Sequence, residues 1–178
     1  MPREDDLKIA IRPFEAADVE TITAAFAAIG WHRTESQYRR YLEEQVRGER
    51  VVLVAHLDGS FVGYLTVAWR PDYPPFARDG IPEVQDLNVL PECRRRGVAT
   101  ALMDEAERLV SARSPVIGIG VGLFVDYGPA QRLYARRGYV PDGEGIYYRE
   151  RPVTPMREVM LDDDLVLHLT KQCPGGPP

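Results

Sequence analysis

The chain has 178 residues, 44% of them hydrophobic and 28% charged, with a formal net charge of −5 at pH 7. That balance suits one globular domain with a sizeable core; no apolar run reaches the ~18 residues of a membrane span, and the acidic balance argues against general nucleic-acid binding. Two cysteines, Cys93 and Cys173, make no disulfide framework, and the charged opening Met1-Pro2-Arg3-Glu4-Asp5-Asp6 lacks the apolar stretch of a secretory signal, so a reducing cytoplasm is the expected compartment.

Leu7-Lys8-Ile9-Ala10-Ile11-Arg12 alternates apolar and polar residues, which predicts a half-buried strand ended by Pro13. Residues 15–28 predict a helix with Val19, Ile22, Phe26 and Ile29 along one face and a stop at Gly30. Thr34, with Gln37 three residues on, has the form of a capping box, opening a helix that carries Tyr38, Tyr41, Leu42, Gln45 and Val46. The apolar run 51–55 predicts a strand covered on both faces, Asp58-Gly59 a hairpin turn, and residues 61–69 the returning strand. Residues 70–80 predict a proline-stiffened loop carrying Tyr73 and Phe76, either a wall of a binding pocket or a plain surface connection.

The next stretch reads as strand, basic turn, helix. Residues 82–89 are β-branched and apolar with polar residues between, and Pro91 stops them. Val98, Leu102, Ala106 and Leu109 then line one helical face. Between the two lie Arg94, Arg95, Arg96 and Gly97. The first N–H groups of a helix have no partner within it and stand at the positive end of its dipole, so this turn is suited to an anion such as a diphosphate. Gly97 lets a ligand approach the backbone, and Ala99 keeps the following turn open.

Ser114-Pro115 breaks the chain, and residues 116–125 predict a strand with glycine at 118, 120 and 122. Those three share one bare face, which leaves room for a ligand or for a closely packed helix. Pro129 suits the first turn of a helix, Ala130, Leu133, Tyr134 and Arg137 recur at helical spacing, and Gly138 caps it, followed by a strand from Tyr139. Residues 141–164 are long and mixed, as for a functional loop or one with short strands of its own, with Tyr147, Tyr148, Arg149 and Arg151 as candidate recognition residues. Residues 165–170 predict the last strand and 171–178 a frayed end, so the domain is expected to span 1–172, with 173–178 as a flexible tail.

Arg94-x-x-Gly97-x-Ala99 resembles the Q/R-x-x-G-x-G/A motif of the GNAT acyltransferase superfamily, and Ala130, Leu133, Tyr134, Gly138 and Tyr139 resemble that family's A-x-x-L-Y-x-x-x-G-[FY] segment. The resemblance implies an α/β fold: a mixed, mostly antiparallel, twisted sheet of six to seven strands flanked by about four helices, with the central strands splayed. It implies acetyl-coenzyme A as the cofactor. Backbone N–H groups from Arg94 through Arg95, Arg96, Gly97, Val98 and Ala99 to Thr100 would hold its pyrophosphate, and Leu87, Asn88 and Val89 its pantetheine arm. Ala130 and Tyr134 would lie along the cofactor as well. Tyr127 stands where relatives often carry a cofactor-contacting Asn, so that contact is in question. By the same resemblance the two early helices flank the acceptor, making Trp31 and Tyr38 pocket candidates beside Tyr73 and Tyr147, with core packing the alternative for each.

Acyl transfer to an amine needs a base for the ammonium proton, a donor for the developing oxyanion and an acid for the leaving thiolate. Glu83, eleven residues before Arg94 on the central strand, resembles the glutamate base of family members that acetylate lysine; a carboxylate in a partly apolar cleft can take a proton near neutrality. Asp86 is the second candidate, expected on the opposite face because three steps along a strand reverse the side. Gln85 shares Glu83's face and could orient a water. The resemblance makes Tyr134 the acid and the N–H of Val89 the oxyanion donor. Cys93 beside the anion turn faces phosphate rather than thioester, which argues against an acyl-cysteine. His32, His56 and His168 are scattered, so no metal is expected. The expected protein is an N-acetyltransferase acting by direct attack on a primary amine of a small molecule or peptide, as a monomer or homodimer. The alternatives are a non-catalytic coenzyme A-binding sensor on the same fold or, less well, a nucleotide-binding protein, for which no triphosphate-gripping loop is present.

Overall fold

Alternation in the first strand gives β1 (Ile9–Pro13), which lies antiparallel on β2 (Arg50–Leu57), with Ile9 opposite Leu57. The computed structural model describes residues 8–31 and 33–174; Leu7 of the expected strand, His32 and residues 175–178 of the expected tail lie outside the described residues. β2 returns through Asp58 (φ 50°) and Gly59 (φ 83°) into β3 (Ser60–Ala68), a two-residue hairpin with both turn residues left-handed.

α1 (Asp18–Ala28) begins three residues later than the periodicity predicts. Asp18 explains the delay: its carboxylate accepts the Glu15 N–H at 2.8 Å and both terminal nitrogens of Arg12 at 2.6 and 2.7 Å, holding residues 15–17 in a turn. The helix ends with the Gly30 N–H on the Ala27 carbonyl and the Trp31 N–H on the Phe26 carbonyl, a Schellman pair. α2 (Glu35–Val46) starts after Thr34 as expected, yet the capping box does not form. Thr34 makes no side-chain cap bond, and Gln37 reaches forward to the Tyr41 hydroxyl at 2.8 Å instead of back.

The predicted loop at 70–80 contains a helix, α3 (Pro74–Asp79), with prolines in its first turn and the N–H groups of Gly80 and Ile81 closing on the Phe76 carbonyl. β4 (Glu83–Val89) and β5 (Val116–Gly122) follow the predicted order, with α4 (Val98–Ser111) in sequence between them. β5 is shorter than predicted, because residues 125–127 form a 3-10 turn ahead of α5 (Gly128–Arg136). The long segment after α5 supplies β6 (Val140–Tyr148) and the two-residue β7 (Arg151–Pro152). β8 (Leu165–Gln172) takes in Lys171 and Gln172, which the sequence assigned to the frayed end. Cys173, expected in the tail, is also tied down: it is buried, and its N–H reaches the Pro115 carbonyl at 2.7 Å.

The described residues thus form a mixed α/β fold, an eight-stranded sheet ordered β1-β2-β3-β4-β5-β8-β6-β7 with five α-helices. Its β4–β5 pairing is parallel, while β1–β2, β2–β3, β5–β8, β6–β8 and β6–β7 are antiparallel. Among the described residues, the β4–β5 ladder pairs Glu83 with Gly118 and Val84 with Ile119.

Two compact units share the chain: residues 1–69 with 85–108, and residues 70–84 with 109–178. In the first, α1 and α2 cover β2 and β3. Ile22, Phe26, Tyr38, Val52, Val54 and Tyr64 are fully buried there, each apolar side chain contributing on the order of 1.5–3 kcal/mol. In the second, Tyr73, Phe76 and Tyr147 form an aromatic cluster with Ile81 against it.

Candidate active site

In the first unit the basic turn has the geometry an anion needs. After a short 3-10 turn at Pro91–Cys93, Arg94 is extended (φ −66°, ψ 158°), Arg95 is left-handed (φ 61°) and Gly97 is left-handed again (φ 83°). Such reversals aim successive N–H groups toward one concave side. The first i→i−4 bond of α4 runs from the Ala101 N–H to the Gly97 carbonyl at 2.9 Å, so the N–H groups of Val98, Ala99 and Thr100 precede the helix's own acceptors. Arg94, Arg95 and Arg96 are exposed around this turn, while Val98 anchors it in the core. Arg94 also donates to the Val89 carbonyl at 3.4 Å and lies 5.8 Å from the Trp31 ring centre. This donor set fits a pyrophosphate.

Upstream, Leu87, Asn88 and Val89 form the end of β4. β3 comes so close to them that a Cβ on Gly63 would stand 2.5 Å from the Asn88 carbonyl oxygen. Asp86 sits in a left-handed conformation (φ 51°) inside the strand. That irregularity breaks the alternation, so the odd-step argument placing Glu83 and Asp86 on opposite faces does not apply to this strand. The Asp86 carboxylate accepts a hydrogen bond from the Tyr41 hydroxyl and faces Arg33 at 3.5 Å. Burial, then the Asp86 charge, pushes the Tyr41 phenol up to about 12, so Tyr41 remains a donor. Gln85, expected to orient a water, accepts from Arg50 at 2.9 Å; Arg50 also holds Glu44 and lies over the Tyr41 ring.

Of the aromatic pocket candidates in this unit, Tyr38 is fully buried, edge-on to Tyr41 and Tyr64, so it is a core residue. Trp31 is partly buried and stacks on Phe26 at 5.6 Å. Cys93 is a free thiol raised by burial, the opposite of an activated nucleophile.

The second unit gathers Glu83, Tyr73 and Tyr147 around His168, one of the three histidines too scattered to suggest a metal site. Glu83 is 6% exposed and its Oε1 lies 3.6 Å from His168 Nε2. The Tyr73 ring stacks on the imidazole at 3.4 Å and 5°, and its hydroxyl donates to Asp142 at 2.7 Å. Tyr73 and Tyr147 are buried, 1% and 7% exposed, so both pack in the core rather than line an open wall. The bare glycine face of β5 is covered by side chains: the Phe76 ring over Gly118, Val166 and His168 beside Gly120, and the Tyr127 ring over Gly122. It therefore serves aromatic packing, and neither the room for a ligand nor the flat helix seat considered above.

Tyr134 on α5 is buried, with its ring 6.0 Å from that of Tyr139, and burial raises its phenol far above the ordinary value. Ala130 is half-buried on the same helix. Tyr127 donates to Asp163 at 2.9 Å and packs edge-on to Phe124, so its side chain is engaged within its own chain. Tyr148 and Arg149 pair with Asp162 and Asp164.

Residues 16–139 match the acetyltransferase (GNAT) family. The chain belongs to that family. It is 34% identical over 101 residues to the L-amino acid N-acetyltransferase AaaT of Escherichia coli, a match spanning 56% of this chain and 59% of that protein. It is 30% identical over 115 residues to an N-alpha-acetyltransferase of Saccharolobus solfataricus, covering 56% of this chain and 68% of that one. Among solved structures it resembles the ribosomal-protein-alanine N-acetyltransferase of Brucella melitensis (TM-score 0.66, 20% identity, 92% of this chain and 99% of that chain). It also resembles Arabidopsis thaliana NAA60 in complex with acetyl-CoA (TM-score 0.64, 19% identity, 93% and 98%). At those identities the structural likeness speaks for the fold.

Proposed function

We propose that the chain is an acetyl-CoA-dependent N-acetyltransferase whose acceptor is an α-amino group, of a free amino acid or of a polypeptide. The observation that carries the reading is the basic turn: three arginines and two reversals of backbone handedness ahead of a helix N-terminus, within the segment matched to the family. An α-amino acceptor is the chemistry common to the named activities of the L-amino acid and N-alpha relatives.

Acetyl-CoA, when bound, supplies an activated acetyl thioester. The N–H groups from Arg94 to Thr100 would hold its pyrophosphate and the backbone of Leu87 to Val89 its pantetheine arm, and the Val89 N–H would serve as the donor for the developing oxyanion. Glu83 takes the ammonium proton. Asp86 is already engaged, its carboxylate accepting from Tyr41 and facing Arg33. Tyr134 is the proton source for the leaving sulfur; its raised pKa keeps the phenol protonated at neutral pH.

Thiol release with a panel of amines tests this. Free amino acids and short peptides with open N-termini should give turnover, and their N-blocked counterparts none. Acetyl-CoA binding without release for any amine would make the chain a binding module; no binding at all would remove both readings.

A further inference from the structure

His168 is a buried titratable side chain, 4% exposed, with no role in the chemistry above. Its place follows from β5. Glu83 on β4 is opposite Gly118, His168 on β8 is opposite Gly120, and Gly118 and Gly120 are two steps apart on β5, hence on one face. Strands two apart in a sheet are separated by about 9–10 Å. Side chains on β4 and β8 meet over an intervening strand only if that strand carries none there. Glycine at 118 and 120 clears that path, and Glu83 Oε1 reaches within 3.6 Å of His168 Nε2.

The rest of the imidazole is enclosed by carbon. Tyr73 stacks on it, and Phe76 and Tyr147 meet it edge-on at 5.5 and 6.1 Å. Nδ1 is buried without a hydrogen-bond partner among the described residues. A neutral imidazole carries one N–H and one lone pair, and the lone pair is the less costly group to leave unpartnered on Nδ1. The N–H then belongs on Nε2, facing the carboxylate.

We propose that His168 is a positioning residue for the general base: its Nε2–H, presented over the glycine strand, fixes the Glu83 carboxylate in orientation and favours its ionised form. This rests on the reading of Glu83 as that base. At 3.6 Å the contact is longer than a direct hydrogen bond and too short to hold a water between, so it acts as a charge–dipole contact. Burial lowers the His168 pKa to about 4, against the opposing pull of Asp142, so the ring is a neutral donor at neutral pH. The ionisable groups around it are Glu83 from β4, Tyr73 from the segment before α3, and Tyr147 and Asp142 from β6, with Asp142 held by the Tyr73 hydroxyl. β5 contributes none, since its facing positions are glycine.

Two variants and one spectrum test this. His168→Phe keeps an aromatic ring against Tyr73 and removes the N–H; His168→Gln restores a donor. We expect His168→Phe to lower kcat about ten-fold at pH 7, to move the acid limb of the pH–rate profile up by about one unit and to leave the KM for acetyl-CoA unchanged, with His168→Gln recovering most of the loss. In 15N spectra of the wild-type chain, His168 should be the neutral Nε2–H tautomer from pH 5.5 to 8, and Glu83→Gln should shift its Nε2 signal. An unchanged acid limb in a folded His168→Phe, an Nδ1–H tautomer, or a Glu83→Gln spectrum identical to wild type would overturn the proposal. Failure of the underlying base assignment reads differently: Glu83→Gln would keep full turnover and an unaltered pH profile. The spectra decide the His168 contact whether or not an acceptor amine has been found.

Discussion

Gly63→Ala is the sharpest test of how β3 holds the end of β4. The added Cβ would stand 2.5 Å from the Asn88 carbonyl oxygen and 3.1 Å from Val89 Cα, against an ordinary contact starting near 3.4 Å. Both obstacles are backbone, so no side chain can swing aside, and β4 must retreat by most of an ångström. Overpacking of this kind costs about 1–3 kcal/mol. Strain on the neighbouring bond from the Leu90 N–H to the Val62 carbonyl, 2.9 Å long, adds about 1 kcal/mol if it breaks. A total near 3 kcal/mol corresponds to a fall in Tm of about 6–12 °C for a chain of this size. Because Asn88 and Val89 are the proposed seat of the pantetheine arm, acetyl-CoA affinity should fall about ten-fold as well. The control is Gly128→Ala at the start of α5, where φ is −51° and nothing lies within 4 Å of the new Cβ; it should stabilise by about 0.4–1 kcal/mol. Thermal unfolding by circular dichroism and calorimetric titration with acetyl-CoA read both effects. A Gly63→Ala protein melting within about 1 °C of wild type would refute the reasoning, since β4 would then have slack that the close approach denies.

Three further outcomes follow from the site. Arg95→Gly, which relaxes a left-handed φ and keeps the N–H, should bind acetyl-CoA within about three-fold of wild type, whereas Arg95→Pro, which locks φ near −65° and removes the N–H, should lose more than ten-fold; equal losses by titration would assign the grip to the side chain. Tyr134→Phe should lower kcat with little change in the KM for acetyl-CoA, and an unaltered kcat would take the phenol out of proton transfer. Burial alone would raise the Asp18 carboxyl, yet the Arg12 hydrogen bonds and the Glu15 N–H together hold it below its usual range. Its contribution to stability is therefore present above the unfolded carboxylate pKa and lost as pH falls through the folded value. Asp18→Asn should cost about 1–2 kcal/mol at pH 7, kept low because Arg12 is 39% exposed, and less at pH 3; a pH-independent difference in urea melts would contradict the linkage.

Much of the fold was legible because local signals agreed with one another. The Val51–Ala55 run, the Asp58-Gly59 turn and the returning strand specify a hairpin by hydrophobicity and turn chemistry alone, and Gly30 and Gly138 close their helices as their positions suggest. α3 was missed because six residues give too little periodicity, although Pro74-Pro75 followed by Gly80 is a start and a stop. The late start of α1 depends on Asp18 engaging Arg12, a contact that helical periodicity cannot register. The capping box failed because Gln37 had a better partner one turn ahead in Tyr41. For the candidate site, the anion turn was readable from Arg94 to Ala99, but the left-handed Arg95 was not, since arginine carries no preference for that conformation. His168 was discounted for lack of a nearby second ligand; the informative sign was a lone imidazole among the apolar residues of Leu165–Gln172.

The failures of simple strand reasoning fall on β4 and β5. Alternation assumes extended backbone along the whole strand, and Asp86 within β4 is left-handed. A left-handed non-glycine residue costs on the order of 1–3 kcal/mol and persists only where its surroundings hold it. Here Tyr41 and Arg33 hold it by the carboxylate. β5 makes the complementary sacrifice: three glycines weaken a strand, and they remain because Phe76, His168 and Tyr127 occupy the space their side chains would take. Neither irregularity improves stability, and each has a local consequence that a regular strand could not give. One sets the Asp86 carboxylate against Tyr41 and Arg33, and the other lets a histidine reach a glutamate two strands away. Replacing Gly120 by Ala therefore tests the second consequence without touching either charged partner. The new Cβ would meet Val166 Cγ1 at 2.9 Å and His168 Nε2 at 3.3 Å, so the imidazole must give way by tenths of an ångström and its distance to Glu83 must change. The expected result is a pH–rate profile displaced in the same direction as for His168→Phe, by a smaller amount. A destabilised protein with an unmoved profile would show that the glycine serves packing alone.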